Sequence, residues 1–236
     1  MVDQPLIKAA NLVCEHHDGT VALDDVSFEV MPGRSLAVVG PNGAGKSSLL
    51  TCLMGFLKYS GEITINGQVL TSTSVPQIRR VMTMVFQDPD DQLFMPTLAE
   101  DVAFGPNNLG LSSDQVESRV SKVLDRLNLS ELRDRPPHHL SFGEKRRAAL
   151  ATALAMNPSI LLLDEPTANL DPATRRELAE YLAGLDATLL IATHDLEFVK
   201  ALCPRVILLS KGRLITEVDT SCLLQNTALL RNHRLA

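Results

Sequence analysis

The chain has 236 residues, enough for one large α/β domain or two small ones. Its apolar share of 45% supplies a packed core and excludes disorder, yet its longest apolar runs, such as Ile160–Leu163, fall far short of the roughly 20 residues of a bilayer span. A formal net charge of −6 argues against a dedicated nucleic-acid surface, which usually shows as a basic excess. Asp3, Gln4, Pro5 and Lys8 interrupt any leader pattern, so a soluble cytoplasmic protein is expected. Cys14, Cys52, Cys203 and Cys222 are widely spaced and read as buried small hydrophobes in a reducing compartment.

Along the chain, Leu6–Val13, Val21–Val30 and Glu62–Leu70 alternate as strands do, broken at Asp18-Gly19, Pro32-Gly33 and Asn66-Gly67. Asn66-Gly67 is a tight-hairpin signal. Ser35–Val39 reads as a buried strand that delivers the chain to Gly40, and Ser47–Phe56 continues with helical periodicity. From about Thr97 to Leu140 the pattern turns helical, with Thr97–Phe104 and Ser113–Leu127 closed by Pro136-Pro137. Helix Glu144–Met156, strand Ile160–Leu163, helix Pro172–Leu185, strand Thr188–Ala192, helix Leu196–Leu202 and strand Arg205–Ser210 then alternate, which predicts a mainly parallel sheet. The tail Asp219–Ala236 carries Leu223, Leu224, Leu229 and Leu230. It reads either as a helix supporting a dimer or as packing on the parent domain.

Gly40-Pro-Asn42-Gly43-Ala44-Gly45-Lys46-Ser47 lies between a strand run and a helix run. Its glycines let backbone N–H groups wrap an anion in front of a helix N-terminus. Lys46 supplies a point charge for the β- and γ-phosphates, and the Ser47 hydroxyl suits magnesium. Such a pattern arises by chance in about one chain of this length in a hundred. Ile160–Leu163 ends in Asp164-Glu165, two adjacent carboxylates where capping the next helix needs one. Asp164 suits the magnesium shell, and Glu165 suits the general base that polarises an attacking water.

A phosphate loop and an acidic strand end fit many enzymes, including small kinases. The ordered set around them narrows the class: Gln87, then Leu140-Ser141-Phe142-Gly143-Glu144, then the carboxylate pair, then His194 after a strand. This order resembles ATP-binding cassette ATPases over essentially the whole chain. The resemblance implies an α/β fold with a RecA-like P-loop core, an N-terminal antiparallel β subdomain and an inserted helical subdomain. The core and β parts would take about 1–87 and 143–210, the helical part 88–142 and a tail 211–236. It further implies ATP and Mg2+ as cofactors. Asn42 to Ser48 would bind nucleotide, Ser47, Gln87 and Asp164 would hold magnesium, and Lys46, Gln87, Glu165 and His194 would act in catalysis. Ser141, Phe142, Gly143 and Glu144 would form the signature offered to the ATP of a second cassette subunit, expected as a homodimer. Asp171 would lie in the subunit-contact loop.

Several positions stay open on the residues alone. Ser141-x-x-Glu144 is also a capping box for its own helix. Phe142 stands where the family usually has a second glycine, so the loop is expected to be less free to adopt positive φ, and Glu144 stands where many members have glutamine. His16 occupies the place of an adenine-stacking aromatic, or else is an exposed loop histidine. Lys145-Arg146-Arg147 reads as a solvated first turn or a phosphate-facing edge. The segment Gln87 to Pro106, with its acidic run Asp88–Asp91, looks like the ATPase of energy-coupling factor importers for vitamins, cobalt or nickel, and the short chain resembles the cobalt/nickel type more. That resemblance implies an integral membrane scaffold subunit docked after Gln87, a substrate-binding membrane subunit reached indirectly, and a peripheral place on the cytoplasmic face. No nucleic-acid partner is expected; a cassette ATPase acting on DNA or ribosomes fits the acidic charge poorly.

Overall fold

The computed structural model describes residues 4–235; Asp3, weighed above for a leader, and Ala236 at the end of the tail lie outside the described residues. β1 (Ile7–Glu15) and β2 (Val21–Val30) pair antiparallel, each with buried and exposed side chains alternating along much of its length, as in a sheet with one wet face. The chain then enters β3 (Leu36–Val39) and α1 (Lys46–Leu53). It returns as the hairpin β4 (Ser60–Ile65) and β5 (Gln68–Val69), giving a four-stranded sheet in the order β2-β1-β4-β5. At its turn Asn66 and Gly67 have φ of 49° and 75°, the twisted geometry such a hairpin requires.

Two elements that the sequence pattern did not announce follow: α2 (Val75–Val81) and β6 (Met82–Val85). α3 (Leu98–Asn108) runs past the expected end at Phe104 and carries Pro106 in its last turns. α4 (Ser113–Arg126) starts where expected, but its cap is Ser112, in a capping box with Gln115. α5 (Phe142–Ala155), β7 (Ile160–Asp164), α6 (Pro172–Ala183), β8 (Thr188–Thr193), α7 (Leu196–Leu202) and β9 (Arg205–Ser210) follow the expected alternation. Past residue 210 the chain is not only tail: β10 (Arg213–Asp219) joins the sheet before α8 (Thr220–Gln225) and α9 (Thr227–Asn232).

The second sheet has six strands in the order β10-β9-β3-β8-β7-β6, parallel except for β10. Its central strands are buried on both faces, so period-2 alternation sends side chains into two different cores. Leu36, Val38, Ile160, Leu162, Leu190 and Ala192 pack with α1 and the antiparallel sheet. Ala37, Val39, Leu161, Leu163, Leu189 and Ile191 pack with the helices on the other side. Of the tail leucines, Leu223 and Leu230 are buried in that helical core, which favours packing on the parent domain. Cys14, Cys52 and Cys203 are buried as expected, and burial pushes the Cys203 thiol up to about 12; Cys222 is exposed instead. No helix among the described residues is long and apolar enough to cross a membrane.

Candidate functional site

The turn from β3 into α1 fixes the backbone by close approach. A Cβ at Gly40 would lie 2.2 Å from the Leu209 carbonyl oxygen, and one at Gly45, where φ is +102°, would lie 2.4 Å from that of Ala22. No side chain caps α1, so the N–H groups of its first turn remain available to an anion. Lys46 is only 6% exposed, and its Nζ donates to the carbonyls of Gly40 (2.9 Å) and Pro41 (3.3 Å). The same Nζ lies 3.2 Å from Glu165 Oε1, an ion pair without hydrogen-bond geometry.

Glu165 directly follows β7 with φ of 44°, a conformation costly for any residue with a Cβ and common where function over-determines the backbone. Its carboxylate is buried, and Oε2 accepts from Thr193 Oγ1 at 3.0 Å and lies 2.9 Å from His194 Nδ1. Thr193 ends β8 and is fully buried. Asp164 is buried too, and burial pushes its carboxyl above the usual carboxylate range. A hydrogen bond from Ser47 opposes that rise, the Glu165 charge adds to it, and Lys46 and Arg146 oppose it. Asp164 Oδ1 has no hydrogen-bond partner among the described residues.

These parts surround a cavity of about 410 Å³, well inside the range of small-molecule sites. Asn42, Gly43, Ala44, Gly45, Lys46, Ser47 and Ser48 line one wall, with Gln87, Glu165, Ala168 and His194 facing them. Ala168, which opens the Ala168–Asp171 segment that the resemblance makes the subunit-contact loop, also lines the cavity. Thr193 is not singled out by the sequence; its signal is a polar residue closing an apolar strand, one position before His194. His16 does not line the cavity; its Nε2 sits 3.4 Å from Ser48 Oγ on the exposed side of α1.

The signature segment lies outside this cavity. Ser141 caps α5 in a full capping box, Ser141 N donating to Glu144 Oε2 at 2.7 Å. Phe142 does not have positive φ; it is the first residue of α5, so the conformational penalty expected for a missing glycine does not arise there. Asp171 caps α6, accepting from the Thr174 hydroxyl and from the backbone N–H groups of Thr174 and Ala173, and these bonds, the hydroxyl's first, hold its carboxyl below the usual range. The basic cluster is not solvated as expected: Lys145 pairs with Asp90 at 2.6 Å, and Arg146 is 7% exposed.

Comparison with known proteins places this geometry. The family model described as ABC transporter matches residues 23–168. A Streptomyces avermitilis relative, named for ATP binding in an ABC transporter with no cargo stated, is 50% identical over 99% of this chain and 90% of its own length. The cobalt import ATP-binding protein CbiO of Rhodobacter capsulatus is 47% identical over 96% of this chain and 83% of its own. An energy-coupling factor transporter ATP-binding protein, EcfA of Methanothermobacter thermautotrophicus, is 43% identical over 98% and 76%. Among solved structures, cbiO1 of Clostridium perfringens, part of the complex cbiONQ, superposes with a TM-score of 0.83 at 36% identity, covering 97% of this chain and 94% of that one. With the family model matched over more than half its length around this cavity, the chain belongs to the ABC transporter family as an ATP-binding, ATP-hydrolysing subunit.

Proposed function

We propose that the chain energises an importer of the energy-coupling factor type that carries cobalt or nickel ions, working as a pair of copies on the cytoplasmic face of the membrane. The observation that carries the hydrolytic part is the single cavity in which Lys46, Gln87, Glu165 and His194 converge. The names of the CbiO and EcfA relatives support the importer type. So does the segment after Gln87: Leu93, Leu98 and Val102 serve as core, but Phe94 and Phe104 stay exposed and meet edge-to-face at 5.0 Å, an apolar patch suited to a membrane scaffold subunit. A substrate-binding membrane subunit would be reached only through that scaffold. The EcfA name states no cargo, so an importer of the vitamin type stays as the second reading. Purified with its membrane partners in vesicles, the complex should take up radioactive cobalt or nickel only when ATP is supplied. Uptake of a vitamin but neither metal decides for the second reading.

In the proposed cycle each ATP lies against Asn42–Ser48 of one copy and Ser141 and Gly143 of the other. ATP drives closure to the extent that it binds the closed pair better than the open one. Mg2+, when bound, neutralises charge on the β- and γ-phosphates. The residues fit it: Asp164 Oδ1 is a buried carboxylate oxygen without a partner, next to the Ser47 hydroxyl. Glu165 would then orient and deprotonate water, its Oε2 held by Thr193 and His194. A buried carboxylate that resists ionisation is a burden on the empty protein. Asp164→Asn should therefore raise the melting temperature of the nucleotide-free chain by about 2–4 °C, as roughly 1 kcal/mol does at this size, while lowering magnesium-dependent turnover. Calorimetry and phosphate release check the two halves.

A further inference from the structure

A second cavity shares no lining residue with the nucleotide cavity. It lies between α5 and α6 and is closed at its inner end by Val85 and Leu163, at the tips of β6 and β7. Its volume is about 110 Å³, the scale of the ~150 Å³ engineered cavity that holds benzene. The walls are largely hydrocarbon, with Leu150 on the α5 side and Leu178 and Tyr181 on the α6 side.

Arg146 stands in this lining. It is 7% exposed, and its Nε and Nη1 are buried with no hydrogen-bond partner among the described residues. Nη2 reaches only the Ala168 carbonyl, at 3.5 Å, and the Phe142 ring lies 5.3 Å from Cζ. Burial lowers the Arg146 pKa; Asp88, Asp164 and Glu165 counter this through space, but none of them bonds Nε or Nη1. Arg126 and Arg147 also line the cavity, Arg147 with its own Nε unpartnered, against one carboxylate, Glu177. A guanidinium is a fixed fork of donors, and leaving such donors buried without acceptors is costly. A planar carboxylate takes two parallel bonds from the fork of Nη1 with Nη2, whose one contact, to the Ala168 carbonyl, is long, whereas a phosphate would gain nothing from the hydrocarbon walls.

We propose that this cavity binds a small apolar monocarboxylate, its carboxylate on the Arg146 fork and its hydrocarbon body between Leu150 and Leu178. The space admits a body of about five or six carbons by the benzene comparison. Bound there, such a molecule bridges the signature helix α5 to α6, whose cap is Asp171.

The test is isothermal titration of the full chain with cyclopentanecarboxylate, with cyclopentylmethanol and inorganic phosphate as controls. The carboxylate should bind one per chain with a dissociation constant below about 1 mM, and both controls should bind at least tenfold more weakly. Arg146→Met, which keeps the aliphatic bulk, should lose binding at least tenfold. Leu178→Phe, which fills the cavity from the α6 side, should lose it as well; a fluorescent ATP analogue reports whether each variant is folded. Lys46→Ala should leave carboxylate binding unchanged. No binding by the wild type, equal binding of the alcohol, binding that survives in folded Arg146→Met or Leu178→Phe, or binding lost with Lys46 would overturn the proposal.

Discussion

Glu165→Gln is expected to lower ATP turnover about 10²–10⁴-fold, the usual contribution of a positioned general base, while nucleotide binds more tightly. Without nucleotide, Glu165 Oε1 faces Lys46 Nζ at 3.2 Å, so a phosphate approaching Lys46 must compete with a carboxylate. It must also accept a negative neighbour in a buried site. The amide keeps the shape and can still accept from Thr193 Oγ1, as Oε2 now does at 3.0 Å, but it removes both the competition and the repulsion. Higher affinity and lost turnover should therefore appear together. Phosphate release and titration with a fluorescent ATP analogue measure them separately. Turnover within a few fold of wild type would show that another group activates the water.

The fold was legible where one rule governed a segment. β3, β7 and β8 are short apolar runs bounded by turn residues, and the sheet buries them on both faces. β6 escaped notice because Met82-Thr-Met-Val85 has no alternation and follows α2 with no turn residue between them. β10 escaped because it is an edge strand of mixed burial, and its leading Lys211-Gly212 turn looked like the start of a tail. At the site, Lys46 and Glu165 are legible from their local motifs, and Gln87 and His194 from a resemblance carried by order along the chain; the four meet because β3, β6, β7 and β8 are neighbours in one sheet. What order cannot convey is the state of a side chain. Lys145, Arg146 and Arg147 are equivalent letters at a helix start. Yet α5 enters the protein almost at once, with Ala148, Ala149, Leu150 and Ala151 all buried, and Arg146 goes in with them. The reverse holds at Phe142, where the family pattern implies a loop less free to adopt positive φ and the helical backbone asks for no positive φ.

Gly143→Asp carries the second large effect, because the isolated chain has no reason to object to it. Gly143 sits in the first turn of α5, its φ is not positive, and a Cβ there would meet nothing within 4 Å. An acidic side chain in the first turn of a helix is favourable by about 0.3–1 kcal/mol. The melting temperature should therefore hold or rise slightly. The phosphate cavity of the same chain is lined by none of Ser141, Phe142, Gly143 or Glu144, so binding of the ATP analogue to dilute protein should also be unchanged. Turnover should nevertheless fall about 10²-fold or more, since a carboxylate set against a partner's phosphates costs several kcal/mol. That combination, a sound fold and intact binding with lost hydrolysis, is produced by a site whose second half comes from another copy. Full turnover in folded Gly143→Asp would mean that each chain hydrolyses ATP alone, with Ser141 and Glu144 serving only as the cap of α5.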